Sequence, residues 1–189
     1  MIKYDLNDRV AVVTGGAQGF GLAITERFIE AGAKVIIWDI DENAAKEAID
    51  KVKSENLSHQ VVDVTNFEIV NKNLDEVEKK YGKIDIFVNN AGIAGMNTTV
   101  AEYPLDEWKK VMNLNLNSVF YCCKAVVPVI IGLILGELVE GTLRQSLVIF
   151  DGNWLMFFTR PIALTFFILS LIALAFPLIR SRKFKKYND

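Results

Sequence analysis

The chain has 189 residues, 51% of them hydrophobic and 23% charged, with a formal net charge of −2. That length suits one domain, or one domain with an appendage, and the apolar content excludes a disordered chain. Charge is unevenly placed: residues 1–128 carry 14 Lys/Arg and 19 Asp/Glu, a balance that disfavours nucleic-acid binding, whereas residues 129–189 carry 7 and 4.

The opening stretch, MIKYDLNDRV, holds no apolar run, so no secretory signal is expected and the front of the chain is expected in the cytoplasm. Residues 10–13 and 35–38 are short, β-branched apolar runs of strand length. Between them, Leu22, Ile24, Phe28 and Ile29 suit one face of a helix over 20–31, stopped by Gly32. A second helix is expected over 41–55, a third strand over 59–64, a third helix over 66–81 and a fourth strand over 84–88. After a loop containing Gly92 and Gly95, residues 105–127 read as one long helix entered through Pro104. Alternation of this kind implies a parallel sheet with right-handed crossovers and helices on both faces, in strand order 3-2-1-4.

From residue 129 the pattern changes. Residues 125–136 form an apolar run too short to span a bilayer, whereas 161–179 lack any charge and approach the roughly 20 residues a transmembrane helix needs. Five basic residues between Arg180 and Lys186 follow, which would hold that end in the cytoplasm. The expected organisation is therefore a partial doubly wound α/β domain over 1–128, then an apolar helical tail over 129–189 with a membrane span at 161–179. Residues 146–150 also have the composition of a short extra strand. Adjacent Cys122 and Cys123 make no disulfide framework and fit a reducing compartment. The single histidine, His59, has no partners at ligand spacing, so no metal site is expected.

The strongest chemical signal is Thr14-Gly15-Gly16-Ala17-Gln18-Gly19-Phe20-Gly21, between the first strand and first helix. Gly15 permits a tight turn, Gly19 lets backbone approach a pyrophosphate, and Gly21 lets the helix pack close to the sheet. The helix N-terminus then offers N–H groups to phosphates. Asp39, 18 residues after Gly21, ends the next strand, where a carboxylate accepts hydrogen bonds from ribose hydroxyls and repels a 2′-phosphate. NAD is favoured over NADP.

These motifs, with Asp63-Val64 closing the third strand, Asn89-Asn90-Ala91-Gly92 after the fourth, and the run 111–120, resemble the short-chain dehydrogenase/reductase family over residues 1 to about 128. The resemblance implies that Gly15, Gln18, Gly19, Phe20 and Gly21 line the pyrophosphate. It places Asp63 and Val64 at the adenine, and Asn90 and Gly92 beside the adenosine and its ribose. Asn115 matches the family's helix asparagine, which helps to hold a catalytic lysine and a water relay. The family's general acid/base is a tyrosine in Tyr-x-x-x-Lys, with a serine that orients the substrate carbonyl. None of the five tyrosines has a lysine four residues on.

Beyond Pro128, the stretches 128–140, 143–144, 152–153 and 159–162 resemble the C-terminal end of the large membrane subunit of tripartite tricarboxylate transporters. Three readings follow: an NAD-dependent oxidoreductase that is catalytically incomplete in this chain, a membrane component of a tricarboxylate transporter, or a non-functional fusion of two reading frames. The expected partners are NAD and, through the tail, a lipid bilayer.

Overall fold

A computed structural model describes residues 4–149 and Thr165. Apart from Thr165, the expected span at 161–179 and the transporter-like stretches after Ile149 lie outside the described residues. The chain divides into two units, Met1–Leu135 and Gly136–Asp189.

The first unit alternates strand and helix. In chain order come β1 (Val10–Thr14), α1 (Gly19–Glu30), β2 (Lys34–Asp39), α2 (Glu42–Val52), β3 (Leu57–Val61), α3 (Phe67–Tyr81) and β4 (Ile86–Val88). A 3-10 turn (Val100–Glu102), α4 (Leu105–Met112), a π turn (Asn113–Asn117) and α5 (Ser118–Ile149) follow. The four strands form one parallel sheet in the order β3-β2-β1-β4, as the pattern predicted. All five residues of β1 are buried, the signature of a central strand covered on both faces.

Side chains along β1 and β2 alternate between two cores, because successive residues in a strand point to opposite faces. Val10, Val12, Ile36 and Trp38 face α3 and the start of α5, where Val70, Leu74, Val77, Cys122 and Val126 are buried. Trp38 meets Phe87 of β4 edge to face, with ring centroids 5.4 Å apart. Ala11, Val13, Val35 and Ile37 face α1 and α2, with Ala44, Ala45 and Ala48 keeping α2 close to the sheet. Burial, with Cys123 adding to it, pushes the Cys122 thiol up to about 12, so it stays protonated and packs as an apolar group.

Helix ends follow local chemistry. The Asp41 side chain accepts from Asn43 and Ala44 N–H and starts α2; Asn66 does the same for Glu68 and Ile69 at α3. Gly82, at φ +75°, ends α3 in a left-handed turn that a side chain would strain.

Three expectations change. The third strand spans Leu57–Val61 rather than 59–64, because Asp63 turns the chain by accepting from the Thr65 N–H and hydroxyl. The helix expected over 105–127 is interrupted by the π turn and continues to Ile149, with Pro128 inside it. Residues 146–149 lie in α5 and not in an added strand, since nothing local breaks the helical run that precedes them. Among the described residues, β4 pairs only with β1 and is half-buried.

Helical residues Leu105–Thr142 are long and apolar enough to cross a membrane by length and composition, a test that buried core helices of soluble proteins also pass. Within the second unit, Arg144 Nη2 lies 2.5 Å from Glu140 Oε1 one turn earlier, and the Thr142 hydroxyl donates to the Leu138 and Val139 carbonyls.

Asp85 joins the starts of β1 and β4. Its side chain is 7% exposed; Oδ1 accepts from Arg9 Nη1 at 2.7 Å, Oδ2 accepts from Val10 N–H at 2.9 Å, and Lys83 Nζ lies 3.2 Å away. Burial pushes this carboxyl up, but the Val10 N–H, the Arg9 guanidinium and the Lys83 ammonium outweigh it and hold it below the ordinary aspartate value. A carboxyl depressed in the folded state contributes stability at neutral pH that is lost as pH falls through its folded value. Denaturant unfolding of Asp85→Asn should show a loss of about 1–3 kcal/mol at neutral pH and a shallower decline on the acid side.

Candidate functional site

The turn from β1 into α1 is the best-tied loop in the domain. Gly15, at φ +59°, reverses the chain; its N–H donates to the Trp38 carbonyl at 2.7 Å. The Ala17 N–H donates to Asp39 Oδ2 at 3.1 Å, and the Thr25 hydroxyl donates to the Gly16 carbonyl. From the other side, Asn90 Nδ2 donates to the Thr14 and Gly15 carbonyls at 2.9 and 3.0 Å. The Thr14 hydroxyl donates to the Val88 carbonyl and accepts from the Asn90 and Ala91 N–H groups. The loop is thus held from β2 and from β4, and the first turn of α1, which has no acidic residue and no side-chain cap, follows it. The first N–H groups of a helix have no partner within it, and with the helix dipole they favour an anion.

Beside this loop, at the carboxyl ends of the strands, lies a cleft of about 520 Å³. Six of the expected residues line it: Gly15, Gln18, Asp39, Asp63, Val64 and Gly92. Gly19 and the 87% exposed Phe20 stand at the first turn of α1, above the loop. Gly21 and Asn90 lie behind it: a Cβ on Gly21 would collide with the Gly15 carbonyl oxygen and come within 2.6 Å of Asn90 Nδ2. A larger hollow, about 790 Å³, sits against Leu6, Phe28, Ala31 and Ile86 at the opposite ends of the strands, away from all of these residues. Ligands in open parallel sheets bind at the carboxyl ends, in the crevice where strand order reverses. Here that crevice falls between β1 and β4.

Asn115 lies in the π turn, a local widening of the helix that often marks functional positions. Its amide accepts from the Ile93 N–H at 2.9 Å and donates to the Ile93 carbonyl at 2.8 Å. It therefore fastens the loop after β4, and a Cβ on Gly92 would come within 3.2 Å of its Oδ1. Asp39 accepts from Ala17 and from Asp41 N–H, one bond to each oxygen.

Two contributors escaped the sequence reading. Thr14 belongs to the motif, but only the strand order reveals that its hydroxyl joins β1 to β4. Lys110 of α4 lines the cleft that Asp39, Asp41 and Asp63 also line, and no local pattern singles it out. Tyr121 and Lys124 belong to an aromatic cluster, with Lys124 Nζ 4.9 Å from the Phe67 ring centre and the Tyr121 ring 5.9 Å from it. No group of three or more His, Cys, Asp or Glu suited to a metal occurs among the described residues.

The family model for short chain dehydrogenases matches residues 9–141. The chain belongs to that family. The match runs past Pro128 and takes in the stretch 128–140 that by sequence also resembled a transporter subunit. Among relatives, the NAD-dependent glycerol dehydrogenase of Listeria innocua is 36% identical over 150 residues, covering 79% of this chain and 58% of the relative. The probable NADP-dependent mannitol dehydrogenase of Yarrowia lipolytica is 38% identical over 129 residues, covering 66% and 46%. A crystal structure of NAD+-bound xylitol dehydrogenase superposes with a TM-score of 0.65 at 34% identity, covering 68% of this chain and 50% of that one. The chain spans about half the length of the curated relatives it matches.

Gly21→Ala tests the close approach of α1 to the loop. The added methyl should lower stability by about 1–3 kcal/mol, as overpacking does, seen as a fall in thermal midpoint. An unchanged midpoint would mean that the loop relaxes away without cost.

Proposed function

We propose that this chain binds NAD at the β1–α1 loop and belongs to an oxidoreductase that moves hydride between NAD and a carbonyl or alcohol. The observation that supports it most is the loop itself. Its backbone is fixed from two sides, its glycines leave room for a diphosphate, and α1 presents N–H groups to that place. A Cβ would clash at Gly21, whereas one at Gly19 would meet nothing within 4 Å, so the close packing lies behind the loop and the ligand side is open. The residues present therefore fit a dinucleotide.

In this reading Gly15, Gln18, Gly19 and Phe20 line the pyrophosphate, and Gly21 lets α1 close in. Asp39 receives the ribose hydroxyls of the adenosine half, Asp63 and Val64 bound the adenine, and Asn90 and Gly92 shape the floor. Asp41 and Asp63 add negative charge near Asp39, against one lysine, Lys110, which disfavours a 2′-phosphate and favours NAD. NAD, when bound, supplies the hydride acceptor. Asn115 positions the loop that carries Gly92 and Ile93, and in the family reading it also supports a water relay. The tyrosine, lysine and serine of the family are not supplied by any Tyr-x-x-x-Lys in these 189 residues. We therefore read this chain as the cofactor-holding part of the chemistry, incomplete for turnover.

The remaining readings concern the tail. The uncharged residues 161–179, with the basic residues that follow, favour attachment of the tail to a bilayer, with the NAD-binding unit in the cytoplasm. The change in composition after residue 128 supports the reading of a join of two reading frames, beside that of a transporter subunit.

Calorimetry on the full chain should find NAD+ bound about tenfold more tightly than NADP+, or about 1.4 kcal/mol. Equal affinities would overturn the assignment to NAD. No consumption of NADH is expected with any aldehyde or ketone, and turnover abolished by a tyrosine substitution would overturn the reading of incompleteness.

A further inference from the structure

The Asp39 carboxylate stands between two backbone donors that belong to different elements. Oδ2 accepts from Ala17 in the glycine-rich loop, and Oδ1 accepts from Asp41, the residue whose own side chain caps α2. Both distances are 3.1 Å. Ala17 is 3% exposed, so water cannot take over its N–H, and a buried donor without an acceptor is costly. Two residues earlier, the Gly15 N–H is taken by the carbonyl of Trp38, the neighbour of Asp39. The end of β2 therefore clasps the loop twice, once by backbone and once by side chain.

This clasp decides which amides are left for a ligand. Gly15 and Ala17 point their N–H groups back into the protein and Gly16 between them is buried, so the amides left for a ligand are those from Gln18 into the first turn of α1. An ionised carboxylate has about four acceptor positions. Two hold the backbone and two remain, so contact with ribose hydroxyls is compatible with the clasp.

Building on the NAD-binding reading, we propose that Asp39 is also a positioning residue, which holds the glycine-rich loop in its phosphate-accepting shape through the Ala17 N–H. Selectivity for the ribose and order in the diphosphate cradle are then properties of one side chain. A change made at Asp39 to admit a 2′-phosphate loosens the cradle as well.

Asp39→Asn separates the two roles. The amide has one oxygen, so when it serves either backbone donor its NH2 faces the other. The full chain and D39N are compared by amide hydrogen exchange at Ala17 without ligand. Calorimetry then uses ADP and 2′,3′-dideoxy-ADP, which lacks both ribose hydroxyls. Loss of a bond to a charged acceptor should speed Ala17 exchange and weaken both nucleotides, each by about tenfold. If D39N and D39S both weaken only ADP and leave dideoxy-ADP binding and Ala17 exchange as in the wild type, Asp39 is a ribose contact alone and the proposal is wrong. Should the wild type bind neither nucleotide, the NAD-binding reading fails, while Ala17 exchange still decides the clasp. D39S, carried through the same measurements, covers a D39N chain that does not fold.

Discussion

The backbone of the β1–α1 turn leaves the sheet inside the protein, where its N–H and C=O groups need partners. The rest of the domain depends on how that need is met. Because β1 lies between β2 and β4, the ends of both neighbours reach the turn, Trp38 and Asp39 from one side and Asn90 from the other. An order with β1 at an edge of the sheet would leave one side of the turn without a partner. The same order opens the crevice between β1 and β4, so the demand that satisfies the loop also makes room for a ligand beside it. Asp85 closes the opposite ends of the same two strands, which keeps β4 in register with β1 over three residue pairs.

Much of this was legible in the sequence because it is written in local chemistry. Short apolar runs rich in β-branched residues mark β1 and β2, and alternation of strand and helix implies a parallel sheet. The glycine spacing at 14–21 locates the turn, with Asp39 at its expected distance. The positions that escaped are those whose partners lie far along the chain. Asn90 reads as a ligand contact in a motif, yet its amide serves Thr14 and Gly15, about 75 residues away. Asp85 carries no motif, and its value comes from Arg9 and Val10. The π turn is invisible to periodicity because the residues on either side of it, taken alone, are ordinary helix formers.

The tail shows the reverse difficulty. Its composition is emphatic, but composition alone does not separate a membrane span from a helix that packs on a sheet. In the first unit, the same α5 whose sequence is strongly apolar buries Ser118, Cys122 and Val126 against the core while Phe120, Val127 and Ile131 stay exposed. The family match to residue 141 also ties the front of this helix to the dehydrogenase domain, where hydropathy alone suggested a change of identity at Pro128.

The π turn at Asn113–Asn117 sets the rotational phase of everything after it. A turn closed by i→i+5 bonds holds one residue more than the turn it replaces. Each residue advances an α-helix by about 100°, since 3.6 make a full turn. Ser118, Cys122 and Val126 reach the core as a row spaced by four, and with every residue of 113–117 kept that row faces the sheet only while the turn stays wide. Closing 113–117 into regular α geometry with all five residues kept would advance everything after it by the one extra residue, about 100°. It would swing the row away from β1 and β2 and bring the neighbouring, more polar meridian of Lys124 against the apolar core. The asparagine-rich turn thus works as a spacer in angle rather than in length, since its widening takes up one residue and keeps the row on the sheet.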